Sequence, residues 1–280
     1  MKLCIRAHDL GVKGSDAILR EIKTLGLDGV QMVCYKAYED IAYAPGAIHR
    51  EKAAEIGKAF RDAGALIPLV GAYFNPVHSD RDKIQRCFSV FTDYLSVCRE
   101  MNCTVVGSET GSFNDDKWTY HPRNRTEEAL QQVVSTFSQL CDIAADHGTT
   151  VAMEGAAGHV CYDVATLERA QKMMGRANTR VIFDLYNYLD RENQGDYLDI
   201  LRRGLATFGD RILLFHMKDC VFDREQGPKQ VPFGTGDMDI RTVLREIKAH
   251  DKNAVLTLEG TTGGHIADAV TIIKENWESV

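Results

Sequence analysis

Four short apolar runs, each closing on a polar side chain, constrain this chain more than any other feature. RILLFHMKD, from Arg211 to Asp219, ends in His216, Lys218 and Asp219. TTVAMEG ends in Glu154, RVIFDLYN in Asp184 followed by Asn187, and AVLTLEG in Glu259. Runs this rich in Ile, Leu, Val and Phe read as strands buried on both faces, because a strand with one wet face alternates apolar and polar positions. The closing residues 154, 184, 216 and 259 lie 30, 32 and 43 residues apart, about the length of one strand-plus-helix unit. Parallel strands in successive units present their C-terminal ends on one side of a sheet. Glu154, Asp184, His216 and Glu259 are therefore expected to converge.

The rest of the chain repeats the alternation. KLCIRA, GVQMVC, LIPLVGAYF and CTVVGSE read as the first four strands. The first helix starts at Ser15 or Asp16 and stops at Gly26; a second is closed by Gly64, and a third runs from Asp80 to about Met101. The fourth strand ends in Glu109 and opens a long connection, TGSFNDDKWTYHPRNRT, before a helix over 126–147. Helices then separate the last four strands, and a final one runs from about Gly264 to Trp277. About eight strand and helix pairs in 280 residues, with 44% hydrophobic content and no Pro- or Gly-rich linker, predict a single (β/α)8 TIM-barrel domain over 1–280. An open doubly wound sheet is the runner-up, but the first strand lacks the GxGxxG turn of a dinucleotide site. In a barrel the residues just past the C-terminal strand ends line one mouth. His8, Asn75 and Glu109 would join the four convergent residues there.

Charge and cysteine usage narrow the function classes. A net charge of −7 and a pI near 5.7 argue against a protein built for the phosphate backbone, and favour a small-molecule substrate over nucleic acid. The eight cysteines form no CxxC pair and read as small buried hydrophobes in a reducing compartment. MKLCIRAHDLG does not resemble a signal peptide, and no stretch approaches the roughly 20 apolar residues of a membrane span. A soluble cytoplasmic protein is the expectation.

Two Glu, one Asp and one His form an oxygen and nitrogen ligand set without thiolate. Such a set suits Mn²⁺, Mg²⁺, Co²⁺ or Zn²⁺ with positions open for substrate. Three carboxylates in one barrel mouth repel one another unless a cation sits among them. A single strand-end acid is ordinarily solvated or hydrogen-bonded; four in register at successive strand ends are hard to ascribe to chance.

The segments VAMEG, VIFDLYN, LLFHMKD, FGTGDMD and LTLEG resemble the sugar phosphate isomerase/epimerase superfamily, the xylose isomerase-like TIM barrels that include ketose 3-epimerases. The resemblance implies one divalent metal, commonly Mn²⁺, on Glu154, Asp184, His216 and Glu259. It further implies that Glu154 and Glu259 act as the acid/base pair. A metal chelated by a carbonyl oxygen and the adjacent hydroxyl would stabilise the enediolate formed when the neighbouring carbon loses its proton. Two carboxylates on opposite faces would epimerise that carbon; a single base carrying the proton between carbons would interconvert aldose and ketose.

The chain departs from the ketose 3-epimerase pattern at Asn187, which stands where those enzymes look to have a His. Asn can hydrogen-bond a hydroxyl but cannot change charge near neutral pH. His159, in EGAAGHV, could supply the imidazole. Lys218 could reach a substrate oxygen or phosphate, with Asp219 orienting neighbours. Glu109 and Trp118 belong to the long connection, a length loops reach mostly when functional, and Trp118 could cover a sugar face. His8 and Asn75 are pocket polars, and GTGDMD reads as a turn and helix cap. The main expectation is a metal-dependent isomerase or epimerase of a sugar or polyol. An inosose-type dehydratase starts from the same enediolate; a metal- or sugar-binding barrel without chemistry is the non-enzymatic alternative. The endonuclease IV branch would need further His and Asp ligands and a basic groove. Members of the superfamily often pair through their barrels, which makes a homo-oligomer possible.

Overall fold

Strands and helices alternate along the chain as the apolar runs require. The computed structural model describes all 280 residues. Its strands are β1 (Lys2–Arg6), β2 (Gly29–Gln31), β3 (Val70–Gly71), β4 (Val105–Glu109), β5 (Thr150–Glu154), β6 (Thr179–Asp184), β7 (Ile212–Met217), β8 (Asp219–Val221), β9 (Lys229–Val231) and β10 (Val255–Leu258). The helices are α1 (Ser15–Leu25), α2 (Cys34–Ala37), α3 (Arg50–Asp62), α4 (Arg81–Val97), α5 (Glu127–Asp146), α6 (Val164–Met174), α7 (Tyr197–Phe208), α8 (Ile240–His250) and α9 (His265–Ser279). Eight parallel strands form one sheet in the order β2-β1-β10-β7-β6-β5-β4-β3. Its two edges meet: parallel bridges join Gly29 to Leu66 and Met32 to Val70, and Met32 N donates to Leu69 O at 2.9 Å. The sheet is a nearly closed barrel ringed by helices, as the alternation predicts.

Local chemistry sets the element ends. Gly26 ends α1 at φ 64, in the left-handed region that glycine enters without a Cβ penalty. Asp80, Thr126, Asp163 and Asp239 each accept a backbone N–H three residues on and so cap α4, α5, α6 and α8. Two expected strands are shorter than read. LIPLVGAYF keeps only Val70–Gly71, with Pro68 lacking the N–H a ladder needs, and GVQMVC keeps Gly29–Gln31 and a bridge at Met32 before turning into α2 at Cys34. The connection after β7, read as a loop, contains the antiparallel hairpin β8–β9. Asp219 holds its far end, accepting from the backbone N–H of Cys220, Gly234 and Gly236 at 2.8, 3.0 and 2.8 Å.

The core has two parts. Seventy-one buried side chains form one apolar cluster, the layer between strands and helices. Leu69, Val105, Ala152, Ile182 and Leu214 form a separate small cluster, one from each of five neighbouring strand segments. Side chains alternate along a strand with period two, so residues two or four positions further share the face of that inner cluster. Those residues are Tyr73, Glu109, Glu154, Asp184, His216 and Lys218. The interior is narrow: a Cβ on Gly107 would stand 2.8 Å from Ile182 Cδ1 and 3.0 Å from Leu69 Cδ1. All eight cysteines are free and seven are buried, and no helix is long and apolar enough to cross a membrane.

Helix α3 lies so close to the turn at Cys98–Met101 that a Cβ on Gly57 would collide with the Glu100 carbonyl oxygen and approach Met101 Cα to 2.7 Å. A helical Gly→Ala change ordinarily gains about 1 kcal/mol. Gly57→Ala is expected instead to destabilise by about 1–3 kcal/mol, because backbone must move. Urea denaturation reads the sign, and a variant as stable as the parent would show slack between the two segments.

Candidate metal centre

Four side chains from three strands and one strand end meet above the inner apolar cluster. Ligand atoms of Glu154, Asp184, His216 and Glu259 all lie within 4.8 Å of one another, and all four residues are buried. His216 Nδ1 is the hub, at 2.8 Å from Glu259 Oε2, 3.3 Å from Glu154 Oε1 and 3.4 Å from Asp184 Oδ2. Register explains the convergence: Asp184 pairs directly with His216, and Thr257, two residues before Glu259, pairs with His216 from the other side.

A polar frame fixes the hub. Gln31 Nε2 donates to Tyr73 Oη at 2.7 Å, which turns Gln31 Oε1 toward His216 Nε2, also at 2.7 Å. An acceptor there fixes a proton on Nε2, so Nδ1 is the nitrogen turned to the carboxylates and the one that would present its lone pair to a cation once its own proton leaves, the arrangement of a metal-ligating histidine held by an outer partner. Asn187 Nδ2 donates to Glu154 Oε1 at 2.8 Å, and its own N–H to Asp184 Oδ1 at 3.0 Å. Lys218 Nζ lies 2.8 Å from both Asp184 Oδ2 and Glu259 Oε1 and donates to Asn187 Oδ1 at 3.0 Å. Arg6 donates to Glu259 Oε1 at 2.8 Å, and Asp9 grips the same guanidinium at 2.9 and 3.0 Å.

These contacts separate the two glutamates electrostatically. Burial pushes the Glu154 carboxyl up to about 7, against the pull of His216. Burial acts on Glu259 in the same direction, but Lys218, His216 and Arg6 outweigh it and hold that carboxyl well below the usual range. Burial likewise opposes charge on His216, yet Glu259, Glu154 and Asp184 raise the imidazole well above its ordinary value. Asp184 Oδ2 is buried without a well-angled hydrogen bond although Lys218 Nζ is near. An imidazole nitrogen, three carboxylates and an under-satisfied buried oxygen around one point fit a divalent cation.

The other expected site residues divide. Glu109 pairs with Glu154 across the β4–β5 ladder, and burial pushes its carboxyl up to about 7, with Lys218 opposing. Trp118 and Glu109 line both a cavity of about 1010 Å³ and a smaller one of about 300 Å³. His159 lines the larger cavity, its Nε2 3.2 Å from Trp118 O and 3.8 Å from Glu109 Oε2. His8 lines the smaller one. Burial, and for His8 also Arg6, lowers both imidazoles to about 4, so both are neutral near pH 7. Asn75 does not face the mouth: its Nδ2 donates to Ser112 O and Asp115 O, and its Oδ1 accepts from Val77 N and Ser112 N. Because all its hydrogen-bonding capacity goes to backbone, Asn75 anchors the long connection instead of lining the pocket. Arg6, Gln31 and Tyr73 were not singled out from the sequence. Each lies at or just beyond a strand end on the inward parity, a signal readable only with those strands' faces assigned.

A family model described as xylose isomerase-like TIM barrel matches residues 19–278. No protein of curated function matches the sequence. Among solved structures, the chain is similar to a D-tagatose 3-epimerase-like protein, with TM-score 0.77 and 19% identity over 100% of this chain and 98% of that one. It is also similar to the IOLI protein described with a binding zinc atom, with TM-score 0.73 and 16% identity over 99% and 96%. Endonuclease IV from Thermus thermophilus shares the fold as well, with TM-score 0.74 and 16% identity over the whole of both chains. At these identities the likeness is one of fold. A DNA-related enzyme on the same barrel means that the expected exclusion of nucleic acid rests on net charge alone and gains no support from the architecture. With the family's pattern running over nearly its full length and its barrel closed around a buried Glu-Asp-His-Glu group, the chain belongs to the xylose isomerase-like TIM barrels.

Proposed function

We propose that the chain is a divalent-metal-dependent isomerase or epimerase of a sugar or sugar derivative, moving a proton on carbon next to a carbonyl through a cis-enediolate. The observation that carries this reading is the buried convergence of Glu154, Asp184, His216 and Glu259 within 4.8 Å, with Glu259 on the wall of the smaller cavity and Asn187, bonded to Glu154, on the wall of the larger. These four residues would hold the cation, Mn²⁺ before Mg²⁺, Co²⁺ or Zn²⁺. Bound there, it would supply Lewis acidity against the negative charge that develops on the substrate's oxygens. Glu259, kept ionised by Arg6 and Lys218, is suited to take a proton from carbon. Glu154, held by Asn187 and within 3.5 Å of Tyr73 Oη, is suited to return one. Glu259 beside two permanent cations and Glu154 beside an amide and a phenol are held differently, and a proton taken from one face of the carbon by one of them could be returned to the other face by the other.

One observation favours a second reading, an inosose-type dehydratase on the same barrel. Glu109 is a fourth carboxyl at the mouth, outside the four-residue group, and with its carboxyl pushed up to about 7 by burial it could protonate a departing hydroxyl.

Protein loaded with Mn²⁺ and incubated with a panel of ketoses and inososes in D₂O should place deuterium at the carbon next to the carbonyl, read by NMR. Glu154→Gln and Glu259→Gln should each lower this exchange by about 10²–10⁴; exchange surviving in both would remove the assigned roles. Chelation should abolish it and metal should restore it. Loss of water from the product, suppressed by Glu109→Gln, would select the dehydratase. Metal binding without any exchange would leave a binding barrel.

Metal affinity should rise with pH. Protons held on Glu154 up to about pH 7 and on His216 beyond its ordinary range must leave before a cation enters. The rise in thermal midpoint on adding Mn²⁺ should therefore be small at pH 5 and grow through pH 8; a shift independent of pH would place the metal elsewhere. Gln31→Leu frees the His216 ring and should weaken metal binding about 10–100-fold, as read by competition with a chelating dye.

A further inference from the structure

We propose, building on the sugar-isomerase reading above, that the substrate carries a second sugar ring beyond the one that reacts, and that this ring is bound against Tyr120. The mouth has two lobes that share Glu109 and Trp118. The smaller, about 300 Å³, reaches Arg6 and Glu259. The larger, about 1010 Å³, reaches Asn187, which is bonded to Glu154. Glu259 lines the smaller lobe and Asn187, the hydrogen-bond partner of Glu154, lines the larger, so a molecule chelated by the four-residue group would border both. Cavities of roughly 300–1,000 Å³ hold drug-sized ligands, so the small lobe already accommodates one sugar ring. The larger lobe has room for more than the remainder of a monosaccharide.

Its lining indicates what fills it. Trp118, Tyr120 and Tyr186 supply aromatic faces, while Arg125 and Arg191 are offset by Asp190, Glu192 and Glu225. An anionic group such as a phosphate would call for unopposed cations. Arg125 is moreover engaged, its guanidinium carbon 3.3 Å from the Tyr162 ring centroid and its Nη2 donating to Ala157 O at 3.1 Å. Mixed-sign hydrogen-bonding groups beside aromatic rings match a neutral, hydroxyl-rich ring, whose apolar C–H face packs on an aromatic while its hydroxyls bond at the edge.

The aromatic platform is preformed. Trp118 holds a φ of 54, in the left-handed region that bulky residues rarely occupy. Such strain persists where surrounding structure over-determines it, and it gathers at ligand sites. Here Asn75 fixes Ser112 and Asp115, Asn124 fixes Phe113 and Gly158, and Ser112 Oγ donates to Thr119 O. On this anchored segment Tyr120 is 56% exposed, the most exposed of the three large hydrophobic side chains left open to solvent. Its ring is flanked by the Arg125 guanidinium, 5.6 Å from the centroid, and more than half of the residue stays open on the wall of the larger lobe.

Holoenzyme with Mn²⁺ would be given fructose, fructose 6-phosphate, and the 4-O- and 6-O-glycosylated fructoses lactulose, maltulose and isomaltulose, with deuterium exchange followed by NMR. At least one disaccharide is expected to exchange with kcat/KM about tenfold or more above fructose, the range of a good aromatic contact. Tyr120→Ala should reduce that preference about tenfold, and Tyr120→Phe should keep it. Exchange of fructose as fast as every disaccharide, or a Tyr120→Ala loss equal for one ring and two, would overturn the second-ring site while leaving the isomerase reading intact. Fructose 6-phosphate as the fastest substrate would overturn it in favour of an anion. Absence of exchange with all five sugars would count against the isomerase reading itself, and this proposal with it.

Discussion

Three carboxylates closed into the top of a barrel are the constraint on which the rest of the structure depends. Each unpaired buried charge costs several kcal/mol after relaxation, and Glu154, Asp184 and Glu259 are all at least nine-tenths buried. The chain answers with Arg6, His216 and Lys218, two of them from β7 and its end and one from β1, so that the compensation comes from strands that adjoin through β10. It is uneven. Two permanent cations touch Glu259 and none touches Glu154, whose partners are an amide, a phenol and an imidazole. That imbalance, more than any difference between the glutamates themselves, gives two identical side chains different chemistry.

The backbone delivers these groups by simple periodicity. A small apolar layer fills the barrel below, and the next inward position is polar on β5, β6 and β7, while after Leu69, just before β3, and Val105 of β4 a glycine intervenes before Tyr73 and Glu109. The apolar layer keeps water from entering beneath the carboxylates, and burial thereby becomes a determinant of their proton affinity as well as of stability. Around the rim, structure absent from a minimal barrel does further work: the β8–β9 hairpin is tied down by Asp219, and the connection after β4 is tied down by Asn75, Asn124 and Ser112. Both are long excursions made rigid by side-chain contacts to backbone, which is how a loop can present Trp118 and Tyr120 in a fixed arrangement.

Much of this is legible in the sequence alone. Continuous apolar runs ending in one acid or imidazole identified β5, β6, β7 and β10, and even spacing brought Glu154, Asp184, His216 and Glu259 to one side. Asp239 and Gly26 announced a helix start and a helix stop. The reading failed where signals were not local. Asn75 sits just past a strand, like a site residue, yet its amide is consumed by a loop about 40 positions later. Pro68 cut short a strand whose hydrophobicity looked sufficient. Gln31 and Tyr73 resembled ordinary polar residues because nothing near them in the chain marks His216 as their neighbour.

The sequence by itself determined the unit, a buried strand capped by one reactive group and followed by a helix, because burial, periodicity and capping are set by residues a few positions apart. Tertiary structure alone decided which groups become partners. Arg6 meets Glu259 across 253 positions because β1 pairs with β10, and Gln31 meets His216 across 185, contacts that exist only once the strands assemble and bring the chain's two ends together. Proton affinities at the mouth follow from those distant contacts and from the exclusion of water, and neither is a property of any segment taken alone.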